Sequence, residues 1–489
     1  MTKSANDVDV LIVGAGPVGL FLANECARRG LRFRLVEKNP TQSQHSKALA
    51  IFPRTLEVFD MAGVVDPFLA CANRVASVAF IAQGRQLATM QVKPEGTPYA
   101  FAAMVPQDVT EKLLAESLVR RGGKVEYETA FIAASEQGNG VSATLDHKRQ
   151  KTSLTATYVV GCDGAHSAVR HLLNLPFEGA EYKDTFMLAD VESNDVLPVD
   201  EMQLCPSERE PVAIFPMSAT RRRIIATIQQ TVGDVPSLDL VRSVLAERGP
   251  QGFEVRSLNW STYFRIHHRQ VSELRSGRFF IAGDAAHIHS PFGGQGMNTG
   301  LQDIWNLVWK LELVIGGHAS EDLLDTYTAE RRPVIKGVIE ITDFMTKGLG
   351  TPSKLAQLLR NAIIPAVSRL APFQHAFVKR LSELGIAYKG SPIVEGPGER
   401  YWDDSLRGGE QIKSRFLLVV GDGVEQATKE EARRLSETWS SVVELRSHSG
   451  HEITLVRPDG YIAHQGRSTA ALSTIGSLLQ RQAGLDAAA

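Results

Sequence analysis

Val8-Asp-Val-Leu-Ile-Val-Gly14-Ala-Gly16-Pro-Val-Gly19 decides how the chain folds. Its first six residues are a short, almost wholly apolar, β-branched run, as expected of a central parallel strand buried on both faces. The glycines that follow have separate tasks. Gly14 permits a tight turn, Gly16 lets the backbone approach a pyrophosphate, and Gly19 allows a helix to pack closely on the strand. Pro17 suits a first helical position. The helix is expected to run to Arg29 and stop at Gly30, with Arg32 to Val36 as the second strand of a βαβ unit. Glu37 ends that strand, where an acid accepts hydrogen bonds from adenosine ribose hydroxyls. The unpaired N–H groups of the helix would hold phosphates. With strand, proline, glycine and acid in register, dinucleotide binding outweighs a merely structural glycine turn. The fingerprint by itself does not separate FAD from NAD.

Two further segments have the same strand-turn-helix form. Tyr158-Val-Val-Gly-Cys-Asp-Gly-Ala-His-Ser-Ala-Val-Arg170 runs from a strand through a Gly-Asp-Gly-like turn, with Ser167 near a helix start; an ordinary βα turn explains it equally well. Arg278-Phe-Phe-Ile-Ala-Gly-Asp-Ala-Ala-His-Ile-His-Ser-Pro-Phe-Gly-Gly-Gln-Gly-Met-Asn298 places Asp284 at a strand end and Gly293 to Gly296 before a helix. Apolar residues at 301, 304, 305, 308, 311 and 315 follow a 3.6-residue period that buries one helix face. The positive end of that helix would point at whatever occupies the turn. Three such segments on one chain argue for FAD.

A length of 489 residues exceeds what one hydrophobic core usually supports, so two or three domains with large shared interfaces are expected. The formal net charge is −2 with no basic stripe or acidic tail, which disfavours nucleic acid and anionic membranes as partners and favours small molecules. Cys26, Cys71, Cys162 and Cys205 lack disulfide, redox or metal spacing, consistent with reduced thiols in a cytoplasmic enzyme. The first residues lack the charged and apolar regions of a signal peptide. Leu301 to Ile315 is too short and too charged to span a bilayer.

The glycine fingerprint, the Cys-Asp-Gly segment and Gly-Asp-Ala-Ala-His…Gly-Gln-Gly-Met-Asn, in this order and spacing, resemble the single-component FAD-dependent aromatic hydroxylases of the para-hydroxybenzoate hydroxylase fold. Gln-His-Ser-Lys-Ala-Leu, Pro-Arg-Thr-Leu-Glu-Val-Phe and Val-Pro-Gln107 extend the match over roughly residues 8–345. A further domain after the flavin core makes the branch of phenol, polyketide and rifampicin hydroxylases the nearer one. The resemblance implies an α/β protein with a Rossmann-like, glutathione-reductase-type FAD domain, an inserted antiparallel β-sheet substrate domain and a C-terminal thioredoxin-like domain. Residues 1–75, 101–182 and 268–390 would form the FAD domain with its helical extension, 76–100 and 183–267 the substrate sheet, and 399–489 the last domain.

By the same resemblance Gly14, Gly16 and Gly19, with Pro17 and Val18, would hold the pyrophosphate, Glu37 and Lys38 the ribose end, and Gln107 with Ala48 the phosphate-ribityl region. Asp284 would bind the ribityl or pyrophosphate moiety. Pro291, Gly293, Gly294, Gln295, Gly296, Met297 and Asn298 would line the isoalloxazine ring, with N–H groups facing the N1–C2=O end where reduced flavin carries its charge. Lys47 stands where the family commonly has arginine and loses bidentate geometry; Ser290 stands where proline is usual. Asp163, Arg54 and Lys47 are candidates near the path of NADPH or NADH. The implied reaction takes a hydride at flavin N5, adds O2 at C4a and hydroxylates an electron-rich aromatic carbon through the hydroperoxide. Epoxidation, Baeyer–Villiger oxidation, quinone reduction and an inactive nucleotide-binding protein remain alternatives, whereas the Trp-x-Trp-x-Ile-Pro stretch of flavin halogenases is absent. The partners are then a small aromatic substrate, O2 and NAD(P)H, with a homodimer left open. No catalytic base is assigned.

Arg221-Arg-Arg223 is expected to be a solvated hairpin turn, residues 321–386 mainly helical, and Ser391 to Gly398 a linker. Phe416 to Val420, Val442 to Leu445, Ile453 to Val456 and Gly460 to Ala463 are expected strands, with helices at Lys429 to Trp439 and from Thr469. His287 and His289 lack a third ligand of suitable type, so no metal site is expected, and His267 and His268 are assigned packing or surface roles.

Overall fold

A computed structural model of the chain describes residues 6–43, 46–207, 210–290, 293–349, 354–406 and 415–483. The strand Val8–Val13 is buried along its whole length and pairs in parallel with Gln150–Gly161 on one side and Phe33–Val36 on the other. The eight-stranded sheet continues outward to Val125–Glu126 at one edge and through Phe279–Ile281 to Arg275–Ser276 at the other, with Gly140–His147 and Thr129–Gln137 added antiparallel. Register brings Val36, Val13, Gly161 and Ile281 to one level. The residues that follow them, Glu37, Gly14, Cys162 and Ala282, therefore emerge along a single edge at the carboxyl ends of parallel strands, where open α/β sheets bind ligands.

A second eight-stranded sheet runs His287–Ile288, Val255–Gln270, Glu178–Ser193, Arg221–Ile228, Val212–Pro216, Glu201–Cys205, Ser77–Ala82, Arg85–Gln91. Its period-two alternation is plain along Glu178–Ser193. Phe186 and Leu188 join Phe215 and Ile225 on one face, while Met187, Ala189 and Val191 face the helix Leu238–Arg248 on the other. The edge strand His287–Ile288 pairs with Arg269 and Gln270, so the loop after Asp284 is stitched to this sheet. Three short strands, Ala50–Ile51, Ala102–Met104 and Asn73–Val75, form a small sheet of their own.

The Arg221 to Arg223 expectation is overturned. All three lie in the strand Arg221–Ile228, and Arg222 and Arg223 are buried. Arg223 and Asp190 are cross-strand partners, joined by bonds of 2.7 and 2.8 Å, so the charge is neutralised in place and needs no water. The segment 391–398 connects the last two layers but is packed: Ser391 Oγ donates to Glu330 at 2.6 Å, and Glu395 N–H donates to Ala463 O at 2.8 Å. Helix and strand boundaries shift by a few residues, to Gln426–Thr438 and Ile462–Gly466.

The helix Gly296–Ile315 is buried almost all round, although its sequence shows one apolar stripe. Leu301, Ile304, Trp305 and Val308 join the core of the parallel sheet. Trp309 and Leu313 join the core of the last sheet, Val443–His448, Phe416–Gly421, Ile453–Val456, Ile462–Gly466, with Trp309 edge-on to Phe416 at 5.6 Å. The second face is covered because charge is matched there. Glu330, on the helix Asp322–Leu349, bonds Arg457 at 2.5 Å and Lys310 at 2.8 Å, while Arg457 also bonds Asp459 at 2.6 Å; all four are fully buried. Burial raises the Glu330 carboxyl, but Arg457 and Lys310 outweigh it and hold the group far below the usual carboxylate range. Burial pulls Lys310 down to about 8 despite Glu330. Removing one member of such a set leaves an uncompensated buried charge. Glu330→Gln is expected to lower the unfolding free energy by about 3–5 kcal/mol; a urea unfolding midpoint unchanged from the parent protein would contradict this.

Candidate functional site

The three glycine-bearing turns meet. A Cβ on Gly14, whose φ is +98°, would lie 2.6 Å from the Cys162 carbonyl oxygen and 2.7 Å from Asp163 Cα. One on Gly19 would collide with the Gly14 carbonyl, whereas Gly16 has nothing within 4 Å and faces open space. Val18 reaches across to the third segment, its methyl 2.9 Å from a Cβ placed on Gly283. Glu37 accepts from the Ala15 N–H at 2.9 Å and from Asn39 N–H and side chain at 2.9 and 2.7 Å, which aims its carboxylate at the first turn. Lys38 follows it, exposed.

The segment from Ser46 to Phe52 crosses the same cleft. Ala48 N–H donates to Gln107 Oε1 at 3.2 Å, and Gln107 Nε2 donates to Glu111 at 3.0 Å, whose carboxyl burial raises to about 7. Arg223 donates to the carbonyls of Lys47 and Ala48 at 3.2 and 3.0 Å, so the Asp190 ion pair of the second sheet also holds this segment. Asn298 is bound to it from the other side: its Oδ1 accepts from Phe52 N–H at 2.9 Å and its Nδ2 donates to Ala50 O at 2.9 Å. The exposed Lys47 acts electrostatically on Asp284. Asp284 opens to solvent through the cleft; even so, burial by the surrounding protein raises its carboxyl, with His287 and Lys47 pulling it back.

A buried node beneath the cleft escaped the sequence reading. Asp303 accepts from Gly283 N–H at 3.1 Å, pairs with His287 Nε2 at 2.7 Å and with Arg331 Nε at 2.7 Å. Arg331 also donates to Thr299 O at 3.1 Å. His287 is thus committed to Asp303. No local pattern links residues 283, 303 and 331, so only the pairing of the helices reveals it. His289 lies at the start of the helix Gly296–Ile315, its ring within 3.6 Å of where a Gly296 Cβ would stand. Burial, with the neighbouring His287, lowers it to about 4, so it is neutral near pH 7.

Arg54 does not line a nicotinamide path. It is buried, bonded to Glu57 at 2.9 Å and to the Asp459 carbonyl at 2.9 Å, and it lies over the Tyr461 ring. It belongs to the interface with the last sheet. Asp163 accepts from Ala168 and Val169 N–H groups at 2.6 and 3.3 Å, capping the helix Ala168–Leu172, and its second oxygen has no protein partner. Pro291 lies outside the described residues.

Gly293 lines a second space, a narrow apolar pocket with a cavity volume of ≈ 20 Å³, between the small sheet, the second sheet and the helix Ala371–Leu381. Phe52, Met104, Met202, Phe215 and Phe377 form its larger walls, and every lining residue is apolar. The cleft fits a dinucleotide. The glycine cradle admits backbone-to-phosphate contact, the first N–H groups of two helices open on it, and Asp163 Oδ1, His289 Nε2 and Gln295 Oε1 are buried polar atoms without a protein hydrogen bond.

Residues 7–342 match the family described as FAD binding domain. The chain belongs to that family. It is 34% identical over 410 residues to 6-methylpretetramide 4-monooxygenase of Streptomyces rimosus, covering 82% of this chain and 73% of the relative. It is 31% identical over 478 residues to a rifampicin monooxygenase of Streptomyces venezuelae, covering 95% and 97%. Among solved structures, anhydrotetracycline hydroxylase from Streptomyces rimosus superposes with a TM-score of 0.79 at 28% identity, covering 98% of this chain and 100% of that one. This family member is an FAD-dependent aromatic monooxygenase, with a mixed α/β fold of several sheets. No helix of the described residues is long and apolar enough to cross a membrane.

Two consequences are measurable. Gly14→Ala forces a side chain into a positive-φ position against backbone, a strain of about 1–3 kcal/mol. FAD affinity, read by flavin fluorescence titration, is therefore expected to fall about fivefold or more. For His289, the unfolded chain takes up a proton near pH 6.5 and the folded apoprotein only near pH 4, so acid favours unfolding through that window. The apparent melting temperature of His289→Asn apoprotein should decline less than that of the parent between these values, and parallel profiles would refute the assignment.

Proposed function

We propose that this FAD-dependent enzyme uses NAD(P)H and O2 to hydroxylate a flat, largely apolar aromatic compound carrying a phenolic ring, the class to which the substrates named for its tetracycline-type and rifampicin-type relatives point. One observation carries the reading. Gly293 belongs both to the wall of the apolar cavity and to the turn that leads into the helix Gly296–Ile315. When bound, the flavin supplies the redox chemistry, accepting a hydride and delivering one oxygen atom of O2 to the substrate.

The chain's own residues do the rest. Gly14, Gly16 and Gly19 admit the pyrophosphate to the N–H groups of the helix Pro17–Arg29, and Glu37 receives the ribose. Gln107, held by Ala48 and Glu111, and Lys47 with Asp284 bracket the ribityl and phosphate region. Gly293, Gly294 and the N–H groups of Gly296, Met297 and Asn298 line the flavin ring, where the helix's positive end favours the negative charge that a reduced ring bears. The cavity walls offer no polar side chain, so they bind by dispersion and area burial and keep water from the reacting atoms. In this reading the parallel sheet with its helices is the glutathione-reductase-type FAD domain and the second sheet the substrate domain. The four-stranded sheet with helices Gln426–Thr438 and Thr469–Ala483 is a thioredoxin-like module without a cysteine pair, serving as an interface.

The test combines flavin content of the purified protein with NADPH and NADH consumption against phenols, hydroxylated aromatic acids and multi-ring phenols. Substrate-stimulated consumption and a product carrying one atom from ¹⁸O2 are expected. A product without that label would redirect the reading to quinone reduction.

A further inference from the structure

Phe373, Phe377 and Leu381 recur every four residues on the helix Ala371–Leu381, so they share one face. Their exposure falls in that order, from 43% at Phe373, through a half-buried Phe377, to 7% at Leu381. Phe377 and Leu381 line the apolar cavity. The two phenyl rings are stacked, with centroids 6.4 Å apart and 21° between their planes. At the outer end Leu370, three residues before Phe373, is 55% exposed. Gln374, His375, Lys379 and Arg380 are the polar positions of the same helix. An apolar stripe that begins in solvent and ends in a cavity does more than packing requires, since Leu370 and Phe373 at its outer end keep about half their surface in water. The inner end is fixed. Gln295, in the turn before the helix Gly296–Ile315, donates to the Arg380 carbonyl at 3.3 Å.

We propose that this stripe is the path by which a flat multi-ring substrate reaches the cavity, and that Phe373 and Phe377 set the preference for such substrates over single-ring ones. The proposal rests on the aromatic-substrate reading above. The stripe spans about 12 Å along the helix axis, so a fused-ring plane can stay stacked on Phe373 while its leading edge meets Phe377. A single ring spans less of it and gains less. Near-parallel phenyl rings suit offset stacking with a planar ligand, and each such contact is an appreciable fraction of small-ligand affinity.

The experiment uses the FAD-loaded full chain with 1,8-dihydroxyanthraquinone and phenol as probes, and compares the parent with Phe373→Ala, Phe377→Ala and the conservative Phe373→Leu. Binding is read as a Kd from flavin fluorescence quenching, and turnover as KM and kcat for NADPH consumption. For the anthraquinone both alanine variants are expected to raise Kd and KM by about threefold to tenfold, with kcat little changed for Phe373→Ala and partial retention for Phe373→Leu. Phenol should respond less than twofold. The proposal is overturned if the parent binds the anthraquinone no tighter than phenol, or if both alanine variants bind it as the parent does. It is also overturned if Phe373→Ala changes only the sedimentation coefficient, which would make the patch a contact between copies. A parent that binds the anthraquinone in this pattern yet consumes no NADPH with any ring compound would sink the oxygenase reading while supporting the path.

Discussion

Everything at the cleft depends on the helix Gly296–Ile315 being held on two sides at once. Its N-terminal turn has to face the carboxyl edge of the parallel sheet, because only there do its free N–H groups meet the turns that carry Gly14, Cys162 and Gly283. A helix in that position presents its far side away from the parallel core, and that side contains Trp309, Lys310 and Leu313. The four-stranded sheet covers it, joining Trp309 and Leu313 to Phe416 and Leu418 in one apolar cluster. The last sheet is thereby tied to the helix that opens on the cleft.

Charge makes the arrangement specific. Apolar packing alone would accept small slides of the last sheet over the helix, since burial is non-directional. The set Lys310, Glu330, Arg457 and Asp459 does not, because each member is fully buried and an offset strands a charge. The same device recurs twice more. Asp303 joins the loop of Gly283 and His287 to Arg331 on the next helix, and Asp190 with Arg223 fastens the segment of Lys47 and Ala48 to the second sheet. Three ionic nodes, each bridging different layers, frame a cleft that carries both glycine turns and the polar side chains of Glu37, Lys47, Gln107 and Asp284. The neighbouring cavity is apolar throughout, so a ligand there would be oriented by shape and stacking.

What could be read from the sequence alone was the part encoded by local pattern. The strand Val8–Val13, the glycine turn, the helix ending at Gly30 and the acid Glu37 are each dictated by neighbours within a few residues, so their geometry follows from backbone sterics and period. The same holds for the order of strands and helices after Phe416, apart from shifted ends. Tertiary structure decided whatever depends on partners far along the chain. Arg222 and Arg223 look like a solvated turn until Asp190 is placed opposite. Arg54 looks available to a charged cofactor until the Asp459 turn closes over it. Asp303 is an unremarked helical acid until Gly283, His287 and Arg331 converge on it. The walls of the cavity come from stretches scattered from Ala50 to Leu381, and apart from Gly293 none lies in a glycine motif, because an apolar residue lining a pocket and one filling a core have the same local signature. Charge pairing and cavity shape are properties of distances between elements, and those distances exist only in the folded chain.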